Sequence, residues 1–260
     1  MIISRAKNFG FVHVPKCAGS TIRWPMKDED DFDGFFFGSA PVADLGQVNL
    51  NHLPMAWLRE YFPQAYSALQ DVESYSIVRD PMDRFISAVA QRARALEKDP
   101  GSLRRKDILG LTEESIAYVR SLEGFPDAKR IYFAPQHSFI FAGKEQGVTH
   151  IWPVERMPQL LNRLETNHQI VLKRNQTWNP TVTYRQSWMA APLKNLKDVA
   201  KKSLPTRQYA FLRDAAVRVF TTKGAPLLED TIRNDNKISA FVKDYYAQDA
   251  ELHREILNNF

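Results

Sequence analysis

The sequence predicts an α/β fold with a mostly parallel central sheet flanked by helices, and three observations carry that prediction. Short apolar runs of strand length occur near residues 9–14, 74–79, 148–152 and 169–173. They alternate with stretches of helical periodicity near 19–26, 54–62, 81–98, 112–122, 156–166, 205–221 and 239–257. Such alternation belongs to parallel sheets covered by helices. Two of the strands also run directly into a charged loop and then a helix, and ligands of open α/β sheets bind at such carboxyl ends. There is no internal repeat, and Lys27 to Asp33 and Lys98 to Asp107 read as surface loops rather than linkers, so residues 1–260 are read as one domain.

The first strand, Phe9 to Val14, stops at Pro15 and leads into Lys16-Cys17-Ala18-Gly19-Ser20-Thr21. Ile22, Trp24 and Met26 then suggest a helix. A strand, a tight loop and a helix start form an anion site: backbone N–H groups line the loop and the helix dipole favours negative charge. Lys16 adds a full positive charge, and Ser20 and Thr21 can donate to phosphate oxygens. The loop is not a Walker A motif, because its lysine precedes the glycine. On this motif alone, an unremarkable strand-to-helix turn stays open.

The second strand, Tyr75 to Val78, ends in Arg79-Asp80-Pro81. Asp80 suits an N-cap and Pro81 the first helical position. The helix that follows carries an apolar stripe of Ile86, Val89, Ala90, Ala93 and Leu96, with Asp83, Arg84, Ser87, Gln91 and Arg94 on the polar side. Arg79 and Ser87 can then converge on one phosphate; a surface ion pair of Arg79 with Asp80 or Asp83 is the alternative.

Together these residues resemble the sulfotransferases that use 3′-phosphoadenosine-5′-phosphosulfate (PAPS), above all the carbohydrate branch with the Golgi enzymes acting on heparan and chondroitin chains. Pro15 to Thr21 match that family's P-K-[TS]-[AG]-[GS]-[ST]-[ST] loop, and Arg79, Asp80, Pro81, Arg84, Phe85 and Ser87 match its R-D-P-x-x-R-[FY]-x-S frame. Cys17 departs from the usual threonine. The resemblance implies a P-loop-like domain in which Lys16, Ala18, Gly19, Ser20 and Thr21 hold the 5′-phosphosulfate and Arg79 and Ser87 the 3′-phosphate. Weaker likenesses follow: Ile151 to Leu161 with Glu155, Asn175 and Thr177 in a late N-x-[ST] loop near the nucleotide, and Phe241 to Leu257 with Tyr245, Tyr246 and Asp249 as a closing helix.

Sulfuryl transfer, like phosphoryl transfer, needs positioning, charge stabilisation and a proton acceptor for the attacking hydroxyl. Of the six histidines, His52 in Asn51-His52-Leu53 matches the family's x-H-[LVI]-x segment, which supplies the catalytic base. A capping histidine at the following helix is the alternative for His52, and His137 is the second candidate base. His13 reads as packed in its strand, and His168 and His253 as exposed. Lys16 is expected beside the bridging oxygen. No cluster has metal-ligand spacing, and the chemistry requires no metal.

Hydrophobic residues make up 44% and charged residues 25%, an ordinary globular balance. A single cysteine excludes an internal disulfide and suits a reducing compartment, and a redox role for Cys17 is disfavoured for want of a resolving thiol. The N-terminus carries no signal pattern and no run is apolar enough to span a membrane, so the expectation is a soluble, cytoplasmic form without a stable membrane anchor. The net charge of +5 includes a cluster at Lys194, Lys197, Lys201, Lys202 and Arg207, read as a solvated face, with binding of an anionic glycan or lipid head group as the alternative. Nucleic acid is disfavoured because aromatics do not interleave with it. The acceptor is expected to be polar and glycan-like, in a pocket built from the loops at 27–50, 99–111 and 178–207. A P-loop-like kinase using ATP and a non-catalytic nucleotide-binding protein are the competing readings.

Overall fold

The computed structural model describes residues 1–170, 172, 182–184, 221–223 and 225–260. Four strands form the central sheet in the order β1 (Ile2–Ser4), β2 (Phe9–Val12), β5 (Glu73–Val78) and β8 (His150–Pro153). β1 runs antiparallel to β2, pairing Ile3 with Gly10, whereas β2–β5 and β5–β8 are parallel, with Tyr75 opposite both Phe11 and His150. β2 and β5 are almost wholly buried, which is why they read as continuous apolar runs rather than alternating ones. Three of the four expected strands are present; of 169–173, the described Gln169, Ile170 and Leu172 are not in strand.

By its contacts the chain divides into two compact units. The first comprises Met1–Ala88, Tyr118–Trp178 and Ala240–Phe260 and contains the whole sheet. Between β2 and β5 it holds the one-turn helix α1 (Ser20–Arg23), a hairpin of β3 (Ser39–Val42) and β4 (Gly46–Asn49), and the helices α2 (Met55–Tyr61) and α3 (Pro63–Gln70). Pro63 ends α2 and starts α3, since its ring cannot continue a helix but suits a first turn. α4 (Pro81–Ala95) leaves β5, the short hairpin β6 (Phe141–Ala142) and β7 (Glu145–Gln146) precedes β8, and α6 (Met157–His168) follows it. The second unit comprises Val89–Ala117 and Asn179–Ser239. Most of α5 (Arg105–Arg120), the antiparallel pair β9 (Val182–Tyr184) and β10 (Thr221–Lys223), and α7 (Pro226–Arg233) fall in it.

Four expectations are corrected. The helix expected over 19–26 is only the single turn Ser20–Arg23. The helix expected at 112–122 begins at Arg105, so much of the 99–111 segment is helical rather than loop. The closing helix expected over 239–257 is two, α8 (Asn236–Tyr245) and α9 (Ala247–Asn258). They break at Tyr246, whose buried hydroxyl donates to the Phe133 carbonyl at 2.8 Å. Arg84, expected on the polar side of α4, is buried together with Phe85, Ala88, Val89 and Ala93. No helix among the described residues is long and apolar enough to cross a membrane. The expected helix at 205–221 and the Lys194–Arg207 cluster lie outside the described residues, apart from Thr221, which is in β10.

Candidate functional site

The loop after β2 has an unusual backbone. Lys16 and Ala18 adopt left-handed conformations, with φ of 67° and 61°, and Gly19 follows in the right-handed region at φ −60° and ψ −15°. Non-glycine residues avoid positive φ, at a cost of about 1–3 kcal/mol each, and such positions cluster at functional sites. Alternation of left- and right-handed residues turns successive N–H groups into a concave nest for an anion. Thr21 and Ile22 N–H donate to the Ala18 and Gly19 carbonyls at 3.1 Å each and close the turn. Because α1 has four residues, its dipole is small; positive character comes from the Lys16 ammonium and the loop amides. Lys16, Ser20 and Thr21 are half-buried and Ala18 is exposed.

Gly19 allows the loop to lie on the His13 ring. A Cβ at position 19 would stand 2.5 Å from His13 Cδ2, a distance no neighbour in a packed core tolerates. Cys17 is fully buried, and its Sγ–H donates to Gln136 Oε1 at 3.3 Å. Burial pushes its thiol up to about 12, against the pull of Arg84 and Arg79, so the sulfur is a protonated packing and hydrogen-bonding group.

Arg79 and Asp80 close β5. Asp80 caps α4 by accepting the Asp83 N–H at 3.0 Å, the capping role expected from sequence. Arg79 is about a third exposed and pairs with Asp83 at 3.4 Å. Ser87 lies on α4 in the same compact unit, half-buried.

Gln136 joins the two motifs. It is completely buried and reads the Arg79 backbone in both directions: Oε1 accepts the Arg79 N–H at 3.0 Å, and Nε2 donates to the Arg79 carbonyl at 2.6 Å. The same Oε1 accepts from Cys17. Its own backbone N–H donates to Oδ2 of the buried Asp249 at 2.7 Å, while Oδ1 takes the His137 N–H at 2.9 Å and faces His137 Nδ1 at 3.2 Å. Arg84 makes a second tie. Its Nε donates to the Pro15 carbonyl at 3.1 Å and its Nη2 to the carbonyls of Tyr132 and Ala134 at 3.2 and 2.6 Å. Sequence reasoning assigned no role to Gln136, and it matched Arg84 to the R-D-P-x-x-R frame while placing it on the polar side of its helix. The one available signal was Pro135-Gln136-His137, a polar cluster noted for its histidine alone.

His52 sits at the end of a short 3₁₀ turn, Leu50–His52. Its Nδ1 is 3.0 Å from the His13 carbonyl oxygen, and a carbonyl can only accept. Nδ1 therefore carries the hydrogen and Nε2 keeps its lone pair. Burial, with Arg23 and Lys16 among the neighbouring cations, lowers the imidazole to about 3. His13, also held neutral by burial, accepts from Arg23 Nη1 at 3.1 Å and packs against the His52 ring with centroids 4.6 Å apart. Arg23 Nη2 also donates to Asn51 Oδ1, fixing the residue before His52. His13 is thus packed as expected, but His168 and His253 are buried rather than exposed, bonded to Tyr75 at 2.9 Å and Glu155 at 3.2 Å.

His52 also forms part of the wall of a cavity of about 210 Å³, completed by segments 44–49, 57 and 125–131. Asn175 and Thr177 lie outside the described residues. The other expected site residues fall in the first compact unit, at the carboxyl ends of β2 and β5, on the start of α4 and in the turn before α2.

Residues 1–111 match the family model described as the sulfotransferase family, a span that includes both phosphate motifs and His52. The match supports a sulfotransferase assignment and, with it, a transferase activity. Comparison with curated proteins and with solved structures gives no match.

Proposed function

We propose that the chain transfers a sulfuryl group from PAPS to a hydroxyl of a polar, glycan-like acceptor, as a sulfotransferase of the carbohydrate type with a single P-loop-like domain over residues 1–260. Lys16, Ala18, Gly19, Ser20 and Thr21 hold the 5′-phosphosulfate, and Arg79 and Ser87 hold the 3′-phosphate. His52 Nε2 takes the acceptor proton as the acceptor oxygen bonds to sulfur. The bond from sulfur to the bridging oxygen breaks in line, and the charge left on that oxygen is met by Lys16. The observation that carries this most directly is the Cys17–Gln136–Arg79 bonding, because it couples the loop of one motif to the backbone of the other. The single His52 tautomer compatible with the His13 carbonyl supports the base role.

The test is differential stabilisation by nucleotides. The product 3′-phosphoadenosine-5′-phosphate (PAP) should raise the melting temperature well above any shift from AMP or ATP, since ligand at 100-fold its Kd adds about 2.7 kcal/mol. Labelled PAPS should then transfer its sulfuryl group to a member of an acceptor panel. Equal shifts with ATP and PAP, or a strict Mg²⁺ requirement, would favour a kinase. PAP binding with no transfer to any acceptor would favour a non-catalytic nucleotide-binding protein.

A further inference from the structure

The cavity beside His52 has a wall of definite chemistry. Trp57 and Phe125 meet edge to face with centroids 5.0 Å apart, giving apolar ring faces. Around them stand Asp44, Gln47, Asn49 and Asp127, a ring of hydrogen-bonding groups on the same cavity. An apolar platform with several polar groups suits a ring that carries many hydroxyls better than a flat phenol with one. At about 210 Å³ the space is below the roughly 300–1,000 Å³ of ordinary ligand pockets, which fits one ring rather than an extended chain.

The charge of the wall is as informative as its shape. Among the described residues no Lys or Arg lines it; the ionisable side chains there are two carboxylates and His52, which burial keeps neutral. Asp127 is tied to Arg130 at 2.6 Å and accepts from Tyr118 at 3.0 Å, while Asp44 is exposed at the turn of the β3–β4 hairpin. A carboxylate or sulfate entering this space would lose hydration, meet the carboxylate of Asp44, and find Arg130 already engaged by Asp127.

Resting on the sulfuryl-transfer reading above, we infer that this cavity is the acceptor site and that it takes a single uncharged polyhydroxylated ring. It tolerates an amino substituent and rejects rings that carry carboxylate or sulfate. Specificity then comes in part from repulsion built into the wall.

The test uses a matched series: methyl glucoside, methyl glucosaminide and methyl glucuronide. Each is assayed for sulfuryl transfer from labelled PAPS and, separately, for binding by saturation-transfer NMR with PAP present. The glucoside and glucosaminide should bind and be sulfated, with the glucuronide lower in kcat/KM by about tenfold or more, one unfavourable charge contact being worth at least that. Trp57→Ala should raise the acceptor KM about tenfold while the PAP-induced rise in melting temperature stays unchanged. Asp44→Lys should narrow the discrimination against the glucuronide. A preferred glucuronide overturns the proposal, and so does an acceptor KM unmoved by Trp57→Ala. PAP binding with none of the three rings bound or sulfated overturns it as well. A protein that does not respond to PAP refutes the sulfuryl-transfer reading instead, and ring binding by NMR that is lost in Trp57→Ala would still uphold the cavity.

Discussion

Replacing Gln136 by leucine removes the joint between the two phosphate motifs without changing the side chain's bulk greatly. It deletes the bonds at 3.0 and 2.6 Å to the Arg79 backbone and the acceptor of the Cys17 thiol. A buried donor or acceptor left unsatisfied costs roughly 1–3 kcal/mol, and Arg79 is partly exposed, so a loss of about 3 kcal/mol is expected. For a protein of this size that lowers the melting temperature by about 6–12 °C. A purely structural role would stop there. A positioning role also weakens PAP binding by about tenfold, because Arg79 no longer has a fixed backbone from which to reach the 3′-phosphate. Gln136→Glu separates the two effects by pH. The carboxylate can still accept the Arg79 N–H, but its second oxygen faces the Arg79 carbonyl and it stands near Asp249. Burial and those neighbours raise the folded-state value of the new carboxyl above its unfolded value of about 4.3. Its penalty is therefore absent at low pH, where the protonated acid donates as Nε2 did, and appears as pH rises. Thermal melts and PAP titrations of the variant against wild type at pH 5 and pH 8 should show both losses growing towards pH 8. A leucine variant with unchanged melting temperature and PAP affinity, or a glutamate variant with no pH trend, would refute the coupling.

The other predictions are briefer. Gly19→Ala should destabilise the protein by about 1–3 kcal/mol and weaken PAP binding, since its Cβ would meet His13 Cδ2 at 2.5 Å and push the loop off its bed; thermal melts with and without PAP measure both. Cys17 should resist iodoacetamide in the native state across pH 7–9, because its thiol is buried and pushed up to about 12, and mass spectrometry of the native and denatured protein checks this. His52→Ala should cost roughly 10²–10⁴ in turnover with PAP binding retained, read from single-turnover transfer of labelled sulfate. His52 and His13 are held below the usual histidine value, so the unfolded chain takes up protons below about pH 6.5 that the folded chain refuses. Stability contributed by keeping them neutral is unaffected above that pH and is lost as pH falls towards 3. Urea titrations of His52→Ala should accordingly show a shallower acid decline than wild type.

The parts of this protein legible in the sequence are those whose signals are contiguous. Asp80-Pro81 specifies a helix start by local chemistry alone, and α4 begins there. Pro63 marks the end of α2 equally well, although the new helix it starts, α3, was not anticipated. The loop of Pro15 to Thr21 was read as an anion loop, but its left-handed Lys16 and Ala18 could not be, since neither residue type advertises positive φ. Arg84 was misplaced because a polar–apolar pattern counts every arginine as surface. Its burial depends on three carbonyls, two of which lie about fifty residues away. His168 fails for the same reason, its ring being enclosed by Tyr75, Glu73 and the Lys7 carbonyl. Gln136 has no local signal, because its partners are 57 and 119 positions distant. The cavity beside His52 draws on Asp44 to Asn49, within the 27–50 segment, and on segment 125–131, which had nothing in the sequence to distinguish it.

On the proposed reading, a histidine lowered to about 3 has to act as a base, and the charges around the site bear on that role. Around the Pro15–Thr21 loop, Lys16, Arg23, Arg79 and Arg84 stand near groups that burial keeps neutral, namely Cys17, His13 and His52. Four carboxylates stand nearby: Asp30 beside Arg23, Asp80 and Asp83 beside Arg79, and Asp249 beneath Gln136. The cations and carboxylates thus balance in number, so an anion entering the loop must compete with these carboxylates for its contacts. On the same reading, a bound nucleotide would bring negative charge to both Lys16 and Arg79. It would compete with Asp83 for Arg79 and offset Lys16 and Arg23, which add to the larger effect of burial on His52.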